Sequence, residues 1–247
     1  MEELIFLALI GLTAGTVKGL SGFGSSLVAI PLLNWLYGNE YSMMITIMLI
    51  TFNVILNSIL MFENKAFSIK SLKNVWIITL FGAIFTIIGL GILQNMDGTV
   101  ITYIAASLIF FSIVVKVYNL YSKNPLRIKP RYITQAIVGT LSGLGNGISS
   151  IDGPPVVFYL SGIDAKKEQF KNTLATHFLV MGIIGVITIL LRGMYTTEIL
   201  LNSLYISLFC SIGVVGGIFI SKKINEKTFQ LIVLGILVLL DIKMIFF

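Results

Sequence analysis

A long apolar stretch is interrupted at residues 146–160, which read NGISSIDGPPVVFYL. Glycine weakens a helix, and proline removes a backbone hydrogen bond and clashes with the preceding turn. Backbone that is not helical is tolerated at membrane depth only where it is buried in protein or lines a water-filled cavity. This stretch therefore predicts a helix that is broken inside a membrane.

The composition of the chain agrees with a membrane location. Of its 247 residues, 56% are hydrophobic and 11% are charged, and the mean hydropathy is +0.97. A soluble domain has about 25% charged residues, so a water-soluble globular protein is excluded. The net charge of +6 comes from basic residues between the apolar segments, which indicates membrane orientation rather than nucleic-acid binding. The single cysteine excludes an intramolecular disulfide and a cysteine-based metal cluster.

Eight apolar segments predict a single, all-α polytopic membrane domain over residues 1–247. Six of them are about as long as one membrane thickness. The first and the fifth are longer, and both contain glycines and prolines. The segments are 4–37, 42–62, 75–93, 100–121, 132–160, 173–191, 199–220 and 229–247.

A second glycine-rich break occurs in the first segment, where residues 18–26 read KGLSGFGSS. A shift of 128 residues without gaps aligns the two broken segments and pairs Gly15 with Gly143. Other matches in this register are Gly19 with Gly147, Ser21 with Ser149, Glu40 with Glu168, Asn74 with Asn202 and Gly89 with Gly217. Matches held over four segments predict a duplication. The predicted parts are repeat 1 (1–121), a cytoplasmic linker (122–131) and repeat 2 (132–247).

The basic residues predict the topology, because lysine and arginine prefer cytoplasmic loops. They cluster after segments two, four, five and seven, and eight simple crossings would place these clusters on both sides. All clusters become cytoplasmic if segments one and five enter the membrane, turn at their breaks and leave on the same side. Each repeat then has one re-entrant hairpin and three transmembrane helices, and the second repeat is inverted. The alternative is eight full crossings with parallel repeats.

The two breaks are expected to meet near the bilayer centre and to bind an anion. Helix N-termini and free backbone N–H groups carry partial positive charge, and serine and asparagine side chains add hydrogen-bond donors. The residues predicted to bind substrate are Lys18, Gly22, Gly24, Ser25, Ser26, Asn146, Ser149, Ser150, Asp152, Gly153 and His177.

Three of these residues are ionisable within apolar segments, where such residues are costly and indicate function. Lys18 would attract an anion, and Asp152 would pair with Lys18 or carry a coupling proton. His177 would be a substrate donor, a proton relay or an interfacial residue.

Helix packing is the competing explanation for several residues of these segments. Glycines four residues apart let helices approach closely, and this role is expected for Gly11, Gly15, Gly139 and Gly143. Asn53 and Asn57 share one face of segment two. They favour interhelical hydrogen bonding over a place in the site.

The glycine-rich break in each half, the second ending GPPVVFYL at residues 153–160, resembles the sulfite exporter TauE/SafE family. The resemblance implies a plasma-membrane permease for small sulfur-containing anions such as sulfite or sulfonates, working without ATP hydrolysis. Its partners would be that anion, the lipid bilayer, and a coupling proton or cation. The chain departs from the family in having serines at Ser25 and Ser26 and an aspartate at Asp152, where glycines are common.

Two other functions remain open from the sequence. Re-entrant loops also build ion channels, which makes a channel the first alternative. An intramembrane enzyme is less favoured, because one histidine, one cysteine and no HExxH or GxSxG pattern leave no recognisable catalytic set. No cofactor, resident metal or nucleic acid is expected.

Overall fold

The computed structural model describes most of the chain: residues 2–63, 69–122, 127–163, 165, 167–221 and 223, and the single residues 231, 234, 235, 238, 241 and 242. Within these residues the protein is helical, with nine α-helices, one short 3-10 turn and no strand. The helices are α1 (Glu2–Ser21), α2 (Ser25–Tyr37), α3 (Ser42–Glu63), α4 (Ile69–Leu93), α5 (Gly98–Tyr121), α6 (Tyr132–Ser149), α7 (Gly153–Gly162), α8 (Lys167–Leu191) and α9 (Thr197–Ser221).

Six of the described helices are long and apolar enough to cross a membrane, namely α1, α3, α4, α5, α8 and α9. This confirms the prediction of an all-α polytopic membrane protein. Each predicted boundary of segments two to seven lies within a few residues of a helix end, apart from the start of segment six and the breaks. The predicted segment 229–247 lies outside the described residues apart from single positions, and so do residues 123–126 of the predicted linker.

The first broken segment folds into a hairpin of α1 and α2. Gly22 and Gly24 have φ angles of 82° and 91°, which are left-handed values that glycine adopts without strain. The start of α1 then lies beside the end of α2, because the Tyr37 hydroxyl donates to Glu3 Oε1 at 2.7 Å. A single helix running from 4 to 37 is therefore excluded.

The second broken segment forms a matching hairpin of α6 and α7. Ser150, with a φ of 56°, ends α6 in the left-handed region. The backbone N–H of Ile151 turns back to the Gly145 carbonyl at 3.0 Å. At the open end, the Ile128 N–H just before α6 donates to the Gly162 carbonyl at the end of α7, at 2.7 Å. The two arms therefore start and finish together.

Each hairpin packs its longer arm on a helix from the other half of the chain. α1 lies on α9, and α6 lies on α4. A Cβ atom at Gly15 would collide with the backbone carbonyl of Cys210, and one at Gly143 would collide with that of Gly82. These two contacts, and the bounds of α4 and α9, are related by the same 128-residue register. Comparable backbone contacts confirm the packing role predicted for Gly11, Gly15, Gly139 and Gly143.

The core is built around α3, which contacts both hairpins, α5, α8 and α9. Its side chains at Met48, Leu49 and Phe52 are fully buried. Helices α4, α5 and α9 instead expose many large apolar side chains on their outer faces, as expected for surfaces in contact with lipid. A polar residue on the inner face of α3 therefore faces the hairpins rather than the bilayer.

Candidate functional site

The tips of the two hairpins meet in the interior of the protein. The hydroxyl oxygens of Ser26, at the start of α2, and Ser150, at the end of α6, are 3.3 Å apart. A cavity lies between the tips, and both breaks line it. About 10 Å³ of this cavity is open to the centre of a water molecule, which is room for about one water. The described conformation is therefore a closed one.

Asn53 of α3 joins the two tips to each other. Its Oδ1 accepts hydrogen bonds from Lys18 Nζ at 2.8 Å and from the Ser25 hydroxyl at 2.7 Å. Its Nδ2 donates to Ser26 Oγ at 2.9 Å and to Ser150 Oγ at 3.4 Å. One amide side chain therefore holds α1, α2 and α6 in register, with its oxygen toward the ammonium group and its nitrogen toward the two serines.

Lys18 brings a positive charge to the cavity wall. Its side chain is 3% exposed, and the ammonium group donates to Asn53 and, at 3.4 Å, to Ser25 Oγ. An ammonium group has three hydrogens, and the described part of the chain supplies acceptors for two of them. A charge buried in low dielectric interacts strongly with any ion that enters the same space. Lys18 is therefore suited to attract an anion.

The helix starts at the two breaks supply different numbers of donors. The first turn of α2 has no side-chain cap, so its N–H groups at Ser25, Ser26 and Leu27 have no partner within the helix. At the start of α7, Pro154 and Pro155 lack an N–H group, which leaves Gly153 as the donor among the first three residues. The backbone donors for an anion therefore come mainly from the first break.

Asp152 places a carboxyl group on the opposite wall of the cavity. Among the described residues, its carboxylate receives no hydrogen bond from another side chain and forms no ion pair with Lys18 within 4 Å. Its backbone carbonyl is held by the Ser142 hydroxyl at 2.8 Å. The two charged groups thus share the cavity without neutralising each other by direct contact.

His177 lies behind the second break rather than in the cavity. Because the Ser142 hydroxyl gives its one hydrogen to Asp152, its oxygen accepts from His177 Nε2–H, at 2.9 Å. His177 Nδ1 then accepts from the Thr79 hydroxyl, at 3.3 Å. The histidine is fully buried, so it lies in the protein interior and not at the membrane interface. It supports the backbone of the break through a chain of neutral hydrogen bonds.

The predicted site residues therefore divide into two groups. Those on the cavity wall are Lys18, Gly24, Ser25, Ser26, Ser150, Asp152 and Gly153. Those away from it are Gly22, Asn146, Ser149 and His177. Asn146 donates at 3.3 Å to Thr86 Oγ1.

The cavity also contains residues that sequence analysis left out, namely Asn53, Phe23 and Phe178. Asn53 carried a signal, because an amide in the middle of an apolar helix needs a buried partner. That signal did not distinguish a helix–helix contact from a site. The two phenylalanines carried none, since aromatic residues are frequent in every segment.

The chemistry of these groups suits binding rather than bond making. The wall combines an ammonium group, serine hydroxyls, backbone N–H groups and one carboxyl group. In the described parts of the chain, no group of three or more His, Cys, Asp or Glu residues is arranged to hold a metal ion.

Comparison with known proteins identifies the family of the chain. No curated protein matches it. The model of the sulfite exporter TauE/SafE family matches residues 7–244, which include both hairpins and all the other described helices. Members of this family are membrane transporters of sulfite or related anions rather than enzymes. The chain therefore belongs to the sulfite exporter TauE/SafE family of membrane transporters.

Proposed function

We propose that this protein is a secondary transporter of the plasma membrane that carries a small sulfur-containing anion, sulfite or a sulfonate, through the cavity between the two hairpin tips. The observation that carries this proposal is the meeting of Ser26 and Ser150 beside a buried lysine. The family of the chain supports the class of substrate.

The arrangement of donors supports an oxyanion as the substrate. Sulfite and sulfonate groups each present three oxygens, and the cavity offers donors on several sides. Lys18 supplies the charge, the N–H groups of Ser25 and Ser26 supply a helix N-terminus, and the serine hydroxyls supply further hydrogen bonds. The carboxyl group of Asp152 would repel the anion when it is ionised. Protonation of Asp152 together with anion binding would remove that repulsion and couple transport to protons.

Two observations support the entry of the hairpins from opposite sides of the membrane. At 1.5 Å per residue, α2 is about 20 Å long and α7 about 15 Å long. Placed tip to tip, they would span the hydrocarbon core of about 30 Å. The open end of the first hairpin carries Glu2 and Glu3, whereas the second is preceded by Arg127, Lys129 and Arg131. Basic residues favour the cytoplasmic side, so the second hairpin would enter from the cytoplasm.

Alternating access would follow from separation of the tips. An ion with a sulfur atom and three oxygens is larger than the single water for which the closed cavity has room. Binding therefore requires the contacts of Asn53 with Ser26 and Ser150 to open. Movement of one hairpin with the helix on which it packs would open the cavity to one side at a time.

The test is uptake of radiolabelled sulfite by proteoliposomes that contain the wild-type protein or the Lys18→Met variant. An ion pair at about 4 Å with an effective dielectric constant of about 20 is worth about 4 kcal/mol, so we expect uptake by the variant to fall at least 100-fold at low sulfite. The control is Lys129→Met, which removes an exposed lysine outside the cavity. Wild-type uptake by Lys18→Met would contradict the proposed site.

A second measurement distinguishes the transporter from a channel. Preloading the vesicles with unlabelled sulfite should accelerate uptake of the label, because a carrier exchanges one ion for another across the membrane. Asp152→Asn should abolish any stimulation of uptake by a proton gradient while leaving exchange intact. Single-channel currents carried by sulfite would instead favour a pore.

A further inference from the structure

A second buried cavity lies on the other side of the end of α6. It is enclosed by α2, α3, α5 and α6, and about 10 Å³ is open to the centre of a water molecule. Its polar lining comes from five side chains, all of them uncharged: Asn34, Ser42, Thr46, Thr102 and Ser149. The transport mechanism proposed above does not use this cavity.

The hydroxyl hydrogens around this cavity point to other acceptors. Ser42 donates to the Asn39 carbonyl at 2.6 Å, so Thr102, which lies 2.8 Å from Ser42 Oγ, donates to that oxygen. Thr46 donates to the Ile148 carbonyl at 3.3 Å, and Ser149 donates to its own helix. The lone pairs of these oxygens are therefore the groups left for the cavity.

Asn34 adds an oxygen without a hydrogen bond of its own. Its side chain is 8% exposed, and its Nδ2 donates to Thr102 Oγ1 at 3.3 Å. The nearest donor to Asn34 Oδ1 is the Ser42 hydroxyl at 3.5 Å, and that hydrogen is directed at Asn39. A buried acceptor without a donor costs about 1–3 kcal/mol. A positively charged ligand would remove this cost.

The second repeat lacks these oxygens at the corresponding positions. The 128-residue register pairs Asn34, Ser42 and Thr46 with Gly162, Phe170 and Leu174. The junction of helices at this point therefore does not itself require polar side chains. Their presence on one side alone indicates a role other than packing.

We propose that this cavity binds a monovalent cation, Na⁺, and that the bound ion strengthens anion binding in the neighbouring cavity. Oxygen ligands suit hard cations, and the absence of a carboxylate from the lining favours a single charge. The small volume favours Na⁺ over K⁺. The cavity also lies at the end of α6, where the C-terminal carbonyls carry partial negative charge.

The link between the two cavities is the end of α6. Ser149 lines the cation cavity, and the next residue, Ser150, lines the anion cavity. An ion that contacts Ser149 would fix the left-handed turn at Ser150 and the direction of its hydroxyl group. The coupling rests on the proposed anion transport, whereas the binding of Na⁺ does not.

The experiment measures thermal unfolding of the purified protein without sulfite, in NaCl, KCl or N-methylglucamine chloride at equal chloride concentration. A ligand that binds the folded state raises its apparent stability, so Na⁺ should raise the unfolding temperature saturably and beyond K⁺. Thr46→Val and Thr102→Val should each raise the half-saturating Na⁺ concentration at least tenfold. Thr188→Val, which removes a hydroxyl bonded within its own helix, should leave it unchanged.

Equal stabilisation by the three chlorides would overturn the proposal, and so would a Na⁺ effect that survives in both cavity variants. If the variants fail to fold, the comparison of cations on the wild-type protein still decides. Sulfite affinity in Na⁺ should exceed that in K⁺ at least fivefold. Loss of sulfite transport with retained Na⁺ binding would reject the proposed function alone, and sulfite transport without Na⁺ binding would reject the cation site alone.

Discussion

Replacement of Asn53 by aspartate tests the anion site with a minimal change of shape. The new carboxylate can still accept from Lys18 and Ser25, as the amide oxygen does at 2.8 and 2.7 Å. It loses the hydrogens that the amide gives to Ser26 and Ser150, at a cost of about 0.5–1.5 kcal/mol each. A charge-assisted bond to Lys18 offsets this loss, since such bonds are about twice as strong as neutral ones. We therefore expect Asn53→Asp to fold.

Its effect on an anion should be large. An anion that contacts both Lys18 and Ser26 would lie about 5 Å from the carboxylate, and at an effective dielectric constant of about 20 the repulsion is about 3 kcal/mol. Because each 1.4 kcal/mol is a factor of ten, sulfite affinity should fall at least 100-fold.

The assay is equilibrium binding of radiolabelled sulfite to the purified variant, with thermal unfolding measured on the same sample. Asn95→Asp, which makes the same substitution at an exposed position, is the matched control. A folded Asn53→Asp protein that binds sulfite within threefold of the wild-type affinity would refute the reasoning.

Three further predictions concern the supporting structure. Gly217→Ala should destabilise the protein by about 1–3 kcal/mol, because its Cβ atom would collide with the Thr16 carbonyl, whereas Gly216→Ala, which faces open space, should be neutral or stabilising in thermal unfolding. Ser142→Ala should cost about 1–3 kcal/mol and weaken sulfite binding, because it removes the link between His177 and the second break; unchanged binding and stability would contradict that link. Reporters fused in the linker before α6 and in the segment after α7 should both be cytoplasmic, and signals on opposite sides would reject the hairpin topology.

Much of the fold could be predicted because membrane helices follow simple rules of length and hydropathy. The positions of both breaks followed from glycine and proline, which disfavour helix for reasons local to the backbone. The 128-residue register correctly paired α4 with α9, because polar and glycine matches are rare by chance among apolar residues. The packing glycines were also predicted, since their spacing places them on one face of a helix.

The site was harder to predict because it depends on contacts across the sequence. Asn53 is distant from both breaks in the chain, and only the packing of α3 against both hairpins brings it between them. His177 is four residues from the predicted start of its segment, which left an interfacial position open, yet α8 begins earlier, at Lys167, and buries it. Ser149 and Ser150 are neighbours in the sequence, but the left-handed turn directs them to different cavities.

The most direct test of the central claim is a high-resolution experimental structure of the protein with bound sulfite. The account predicts an ion between the two hairpin tips, with its oxygens at about 2.7–3.2 Å from Lys18 Nζ and from the donors at the start of α2. It also predicts that the contact between Ser26 and Ser150 is opened by the ion. Sulfite bound elsewhere in a protein that transports it, with the tips still in contact, would contradict the account.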